Sequence, residues 1–252
     1  MNRNLSLKWR GIVLALAVPV AALGTLFARS GPELTRLRTL YQLSPPASLV
    51  PARTALVLVD FQNEFLSGRL PLPGGRGAIR HATELAAWAR HNGILVVLVQ
   101  NVIDRPGTPL FAAGSKSAAL VPELSPQPND LVLKKSMAGA FSRTDFDREL
   151  RARNIDTLIV GGLMTHLAVL VTVVDASVLG YRVLIAADST ATRALPGAGG
   201  EADVDAPTLQ RASLAALADR FADVLRAGEI MALPLVTEPL VTEPPAPGST
   251  PR

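Results

Sequence analysis

Three stretches of this sequence place residues that can do chemistry at the ends of runs typical of buried strands. Asp60 ends "TALVLVD", Lys134 and Lys135 end "LVLKK", and Gly161-Gly162 end "TLIVGG". A buried Asp can hold and deliver a proton, a Lys can pair with it, and a turn into a helix can present backbone N–H groups to an oxyanion. Each feature alone is more typical of a helix cap, a solvated edge or a tight turn. Their shared position after strands is what indicates a site.

The elements that must position these residues alternate along the chain. Short aliphatic runs predict strands at 54–60, 94–100, 131–135, 157–162 and 182–188, and the stretches between them predict helices at 78–91, 145–154, 167–180 and 207–221. We therefore expect a single α/β domain, a doubly wound parallel sheet with helices on both faces in three layers. Ligands bind such sheets beyond the carboxyl ends of the strands. Because neighbouring side chains of a strand point to opposite faces, at most one of Lys134 and Lys135 can meet Asp60.

Composition limits the classes of function. A chain of 252 residues with 48% hydrophobic content is long enough for one sizeable core. The formal charge of +4 comes from Arg3, Lys8, Arg10 and Arg29, since the rest of the chain has 21 basic and 21 acidic residues. The body is therefore neutral, and we expect no nucleic-acid partner.

Both ends of the chain are predicted to lie outside the domain. Residues 1–30 combine a basic start with the apolar run 11–27, which predicts a signal peptide or membrane anchor. Residues 31–52 are predicted to be a linker, 53–232 the domain, and 233–252 a disordered proline-rich tail. We expect an exported protein, periplasmic or anchored in the inner membrane, that meets the membrane only through its N-terminal segment. The absence of cysteine from the chain is compatible with this location.

The motifs together resemble a known family. The segments "ALVLVDFQNEFL", "GSKSAALVPELSPQPNDLVLKKSMAGAF" and "GGLMTHLAVLVTVVDASVLGYRVLIAAD" are similar to the isochorismatase-like superfamily, which contains isochorismatases, nicotinamidases, N-carbamoyl amidases and related cysteine hydrolases. The resemblance spans residues 53–226. It implies that Asp60 is the acidic site residue, and the pattern K-x-x-x-[SG]-A-F selects Lys135 over Lys134. In a pattern like G-x-x-T-H-x-C-V, Ala168 stands where the nucleophilic Cys belongs.

Ala168 changes the chemistry that the resemblance implies. A methyl group forms no covalent intermediate, so the thiol route of the cysteine hydrolases is closed. The hydroxyls of Ser136 and Thr165 lie near in sequence, but neither stands at the nucleophile position. The resemblance also implies a cis peptide between Leu163 and Met164, which would aim the backbone N–H groups of Met164 and Ala168 at one oxyanion.

The remaining site predictions concern ligands. We expect the substrate to be a small molecule in a pocket lined by Gln62, Phe65, Phe141, Thr165 and His166. Family members that bind a divalent ion use an Asp-x-His pair after the first strand, and this chain has Phe-Gln-Asn there, so we expect no metal. No cofactor is expected.

Two functions of different class remain open. The first is a hydrolase that needs no thiol, as in the isochorismatases proper, which have Gly at the nucleophile position and hydrolyse a vinyl ether; Asp60 would be the general acid. The second is a pseudoenzyme whose pocket binds a small ligand, or which serves assembly, for example as a homo-oligomer. A nucleotide-binding oxidoreductase is disfavoured because "GGRGAIRH" at 74–81 lacks a strand-GxGxxG-helix context.

Overall fold

The computed structural model describes residues 34–237 and contains one parallel sheet of six strands. The strands are β1 (Thr54–Val59), β2 (Leu95–Asn101), β3 (Leu131–Lys135), β4 (Thr157–Leu163), β5 (Arg182–Ala191) and β6 (Asp223–Leu225). Their order in the sheet is β3-β2-β1-β4-β5-β6. The chain therefore winds outward from β1 to one edge, returns to the other side of β1, and continues to the opposite edge. The reversal lies between β1 and β4, where a doubly wound sheet binds its ligands.

Helices cover both faces of the sheet, as expected for a parallel sheet whose central strands β1 and β4 are almost wholly buried. They are α1 (Leu37–Leu40), α2 (Gly75–His91), α3 (Phe146–Arg151), α4 (Leu170–Val178), α5 (Ala206–Arg220) and α6 (Ala227–Met231). In α2 the residues Ala78, Ile79, Ala82, Leu85, Ala86 and Ala89 are buried, a spacing that gives the helix one apolar face.

Alternation along the central strands divides the core into two clusters. Leu56 and Leu58 of β1 pack with α2 on one face, whereas Ala55, Val57 and Val59 pack with α4 on the other. The prediction of a three-layer α/β fold is therefore confirmed.

Three parts of the fold differ from the sequence predictions. The short elements β6 and α6 were not predicted. The helix predicted at 167–180 begins as a π-helical turn, Thr165–Val169, and only then continues as α4. Ordered structure also extends beyond the predicted domain bounds of 53 and 232. Leu49 is buried, its N–H donates to the Pro234 carbonyl, and its carbonyl accepts from Val236 N–H.

The predicted export segment, residues 1–30, and the predicted tail beyond residue 237 lie outside the described residues. Within residues 34–237, no helix is both long enough and apolar enough to cross a membrane.

Candidate active site

Asp60 and Lys135 form a buried ion pair at the carboxyl ends of β1 and β3. Lys135 Nζ lies 2.7 Å from Asp60 Oδ2, and the two side chains are 0% and 2% exposed. Lys135 Nζ also donates to the Met137 carbonyl at 3.0 Å. Lys134 is exposed, so Lys135 alone of the two lysines reaches Asp60, as strand alternation requires.

The second oxygen of Asp60 has no partner. Oδ1 is buried and forms no hydrogen bond with any residue from 34 to 237. Burial raises the pKa of Asp60 to about 6, and the charge and hydrogen bond of Lys135 oppose this increase without cancelling it. The backbone of Asp60 has a φ of 58°, in the left-handed region that Asp tolerates better than most residues. The strand therefore ends at Asp60 with a carboxyl group that can be protonated near neutral pH.

Close approach of β1 and β4 depends on glycine beside this pair. A Cβ at Gly162 would lie 2.6 Å from the Val59 carbonyl oxygen and 2.7 Å from Val59 Cβ. Gly139, in the segment after Lys135, is similarly constrained, because a Cβ there would lie 2.7 Å from Val171. The neighbouring Ala140 N–H donates to the Thr172 hydroxyl at 3.0 Å, which fixes this segment against α4.

The turn after β4 brings the predicted nucleophile position to the site edge of the sheet. The peptide between Leu163 and Met164 is cis, as the resemblance implies. The Met164 carbonyl accepts from Leu167 N–H and Val169 N–H, which closes the π-helical turn. Ala168 is 5% exposed and packs in the same apolar cluster as Val59. The oxyanion role of the Met164 and Ala168 N–H groups stays a prediction.

Thr165 and His166 are held by residues that sequence reasoning missed. The Thr165 hydroxyl donates to Gln210 Oε1 at 2.7 Å, and Gln210 Nε2 donates to the Thr190 hydroxyl at 2.8 Å. His166 Nδ1 is hydrogen-bonded to the Thr192 hydroxyl. Burial lowers the pKa of His166, and the nearby positive charge of Arg193 lowers it further. These partners lie at the end of β5 and in α5, and no local motif signals contacts over such sequence distances.

The other three predicted pocket residues, Gln62, Phe65 and Phe141, contact neighbouring parts of the protein interior. Gln62 is buried, and its side-chain amide bonds to the backbone of Asn101 and Ala118. Phe65 packs against Phe111, with ring centroids 5.6 Å apart. These contacts connect the segment after β1 to the loops that follow β2.

Phe141 lies on the other face of the sheet from Phe65. Its ring packs against Phe146 and Tyr181, with centroids 4.8 and 5.8 Å away. Tyr181 immediately precedes β5, so this contact lies near the start of that strand and away from the carboxyl ends. Phe141 matches the family motif by its position in the sequence. In the structure its ring packs beside Phe146 of α3 and Tyr181.

No group of three or more Asp, Glu or His side chains among residues 34–237 is arranged to hold a metal ion. The acidic and basic groups of the site are those of Asp60 and Lys135, with His166 at its edge. Their arrangement suits proton transfer to a small molecule.

Comparison with known proteins identifies the family. The isochorismatase domain matches residues 54–229. A secreted isochorismatase effector of Verticillium dahliae is 28% identical over 187 residues, covering 74% of this chain and 94% of that protein. A ureidoacrylate amidohydrolase of Pseudomonas syringae is 33% identical over 193 residues, covering 63% and 79%. The crystal structure of an isochorismatase from Pseudomonas putida superposes with a TM-score of 0.72 at 29% identity, covering 78% of this chain and 99% of that one. The chain belongs to the isochorismatase family of hydrolases.

Proposed function

We propose that this protein hydrolyses a small molecule by acid catalysis at Asp60, without a cysteine nucleophile. The observation that carries the proposal is the state of Asp60, which is buried, has a pKa of about 6 and has an Oδ1 without a hydrogen-bond partner among residues 34–237. Oδ2 is occupied by Lys135, so a transferable proton is best placed on Oδ1. A general acid with a pKa near the working pH combines a populated acid form with a useful driving force for proton transfer.

A vinyl ether is the substrate class that this chemistry fits. Asp60 delivers its proton to the terminal carbon of the enol ether, which leaves an oxocarbenium ion beside the new carboxylate. Water adds to the cationic carbon and returns a proton to Asp60. The resulting hemiketal breaks into an alcohol and a ketone, so the balance is the addition of one water. The negative charge on Asp60 stabilises the cation while it exists.

The thiol route is unavailable to this sequence. The chain contains no cysteine, and Ala168 offers only a methyl group at the position where the family pattern has its nucleophile. The buried hydroxyl nearest in sequence, that of Thr165, is already hydrogen-bonded to Gln210.

Hydrolysis of isochorismate, nicotinamide and N-carbamoyl compounds by the purified protein tests the proposal. We expect turnover of isochorismate and no thiol-type amidase activity. Asp60→Asn should reduce kcat/KM by about 10²- to 10⁴-fold, the usual contribution of a positioned acid. Asp130→Asn is a suitable control, because Asp130 pairs with Arg90 away from the site. Activity that survives Asp60→Asn would show that the site has been placed wrongly.

A second candidate is a disarmed hydrolase that binds a small ligand without turnover. It is favoured by the methyl group at Ala168 and by the low exposure of the site, 2% at Asp60 and 5% at Ala168. In that case the parent is inert, and Ala168→Cys should carry a thiol whose pKa is lowered by the helix start and Lys135. Faster alkylation of this variant by iodoacetamide than of a free thiol, with an inert parent, would support this candidate over acid catalysis.

We further propose that the protein is exported. The support is the sequence of residues 1–30, which combines all the excess positive charge with an apolar run. The Verticillium relative is named as secreted. A fusion of residues 1–50 to alkaline phosphatase should be active in a bacterial host, because that enzyme matures only outside the cytoplasm. An inactive but well-expressed fusion would contradict export.

A further inference from the structure

Arg193, two residues beyond β5, has a buried hydrogen-bond donor without an acceptor. Within the described part of the chain, its Nε is buried and forms no hydrogen bond, and one terminal nitrogen donates to the adjacent Ala194 carbonyl. No Asp or Glu among residues 34–237 forms an ion pair with this guanidinium. Buried donors are nearly always satisfied in folded proteins, so this unmatched donor on a cation is open to an acceptor that lies beyond residues 34–237, such as a bound anion.

The position of Arg193 connects it to the candidate active site. Thr190 pairs with Gly162 and Ala191 with Leu163, so the end of β5 lies beside the start of the Met164 turn. Only β4 separates β5 from β1. Two strand spacings of about 4.8 Å place the end of β5 about 10 Å from Asp60, a distance that a small substrate can span.

A small cavity adjoins this end of β5. Its volume is about 190 Å³, and Thr190, Thr192, Gln210, Pro73 and Pro207 contribute to its lining. The Thr192 hydroxyl bonds to His166, and Arg193 lies close enough to lower the pKa of His166. Hydroxyl and amide groups therefore line the cavity, and the Arg193 guanidinium lies near His166, which is bonded to one of those hydroxyls.

We propose that Arg193 and Thr192 bind a carboxylate group of the substrate, so that the site selects small anionic molecules. The proposal rests on the proposed function in that it places this carboxylate on the molecule whose other end lies at Asp60. A guanidinium can offer Nε–H and one terminal N–H to the two oxygens of a carboxylate in a planar pair. Such an anion would satisfy the buried Nε donor and place a negative charge beside His166.

Acetate and acetamide are matched probes for this site, since they share a shape and differ in charge. The chain has three histidines, and replacing His81 and His91 by Gln leaves His166 as the single imidazole to follow by NMR. We expect acetate to shift the His166 signals saturably and to raise the pKa of His166, because a bound anion offsets the charge of Arg193. Acetamide should produce no such change.

Two variants assign the effect to Arg193. Arg193→Gln should weaken the acetate response at least tenfold, and Arg193→Lys, which keeps the charge, should retain part of it. Arg182→Gln is the charge-matched control, because Arg182 is exposed at the start of β5, the opposite end of the strand.

A response that is equal for acetate and acetamide, absent with acetate, or unchanged in Arg193→Gln would overturn the proposal. Since nothing here depends on turnover, a protein that responds to acetate but hydrolyses nothing refutes acid catalysis and leaves the carboxylate site standing.

Discussion

At Asp60 two opposing effects act on one carboxyl group. Removal from water disfavours the ionised form, and the Lys135 ammonium 2.7 Å away favours it. Burial is the larger effect, so the pKa of Asp60 rises to about 6 although the group is ion-paired. This balance is what an acid catalyst beside a lysine requires, because a dominant ion pair would leave too little of the acid form.

The pH profile of hydrolysis should follow the acid form of Asp60. With a pKa of about 6, kcat/KM should be level below that pH and fall about tenfold for each pH unit above it. At pH 8 the rate should be about a hundredfold below its plateau. Initial rates between pH 4.5 and 8.5 at low substrate concentration measure this. A rate that rises with pH through this range would mean that Asp60 acts as a base.

Replacing Lys135 by Met should move the falling, alkaline limb of this profile to higher pH. The lysine lowers the pKa of Asp60, so its removal leaves burial unopposed and the pKa rises above 6. Lys134→Met is the matched control, since Lys134 is exposed on the same strand and should leave the profile unchanged. An unshifted limb in Lys135→Met would show that another group controls the pH dependence.

The stability of Lys135→Met should also depend on pH. The pKa of Asp60 is higher in the folded chain than its ordinary 3.8, so its neutral form contributes stability that is full below 3.8 and lost as pH rises through 6. At pH 8 the variant leaves a buried unpaired carboxylate and should lose about 3–5 kcal/mol. At pH 5 the loss should be smaller, because Asp60 is then mostly neutral. Denaturant unfolding at the two pH values measures the difference, and an equal loss at both would contradict it.

At the scale of elements, the site depends on how closely β4 approaches β1. Gly162 lies against Val59, the residue before Asp60, and the space between them excludes even a methyl group. The strand therefore passes near enough for its following turn, Thr165–Val169, to lie beside the Asp60–Lys135 pair at the same sheet edge. The glycine is needed here for close packing and not for an unusual backbone angle.

Gly162→Ala should destabilise the protein by about 1–3 kcal/mol, the usual cost of overpacking a core. The Cβ would lie 2.6 Å from a backbone oxygen that cannot move without shifting β1. Gly77→Ala provides a control, because Gly77 lies in α2 and a Cβ there meets nothing within 4 Å. That variant should be neutral or stabilised by up to about 1 kcal/mol, as expected for Gly to Ala in a helix. Equal denaturation midpoints for the two variants would contradict the packing argument.

Elements with strong local signals could be predicted, and contacts made at long range could not. The aliphatic runs located β3 at 131–135, as observed, and β1 to within one residue. The three residues of β6 carry too little pattern to recognise. The π-helical turn depends on carbonyl bonding at Met164, which sequence periodicity does not encode. Asp60 was foreseeable because it ends a strand, and Lys135 because it ends a strand and the family motif selects it over Lys134. Gln210, in contrast, reaches Thr165 from a helix 45 residues away.

At the scale of the molecule, two segments outside the predicted domain, one before residue 53 and one after residue 232, pack against the protein at a distance from the site. Residues 36–52 form an N-terminal strap, in which Arg38 pairs with Asp223 at 2.8 Å and Leu37 N–H donates to Asp219. Leu49 pairs with the 234–236 segment and belongs to the same apolar cluster as Leu56. The surrounding "SPPASLVPA" has a linker composition, which is why the sequence predicted no structure there. In the structure this segment is held by the two backbone hydrogen bonds of Leu49 and by the burial of Pro46 and Leu49.

The N-terminal strap should contribute measurably to global stability through Leu49. This side chain is 2% exposed, so Leu49→Ala removes buried apolar atoms and leaves a cavity, at a cost of about 2–5 kcal/mol. Leu40→Ala is the matched control, because Leu40 lies in the same strap and is 66% exposed; its unfolding free energy should change by less than about 0.5 kcal/mol. Urea unfolding of the full chain with Trp9 replaced by Phe, followed by the fluorescence of Trp88 on α2, compares the two. If the strap were a loose linker, both variants would unfold at the parent midpoint, and the predicted domain bounds of 53 and 232 would then describe the cooperative unit better than the ordered bounds do.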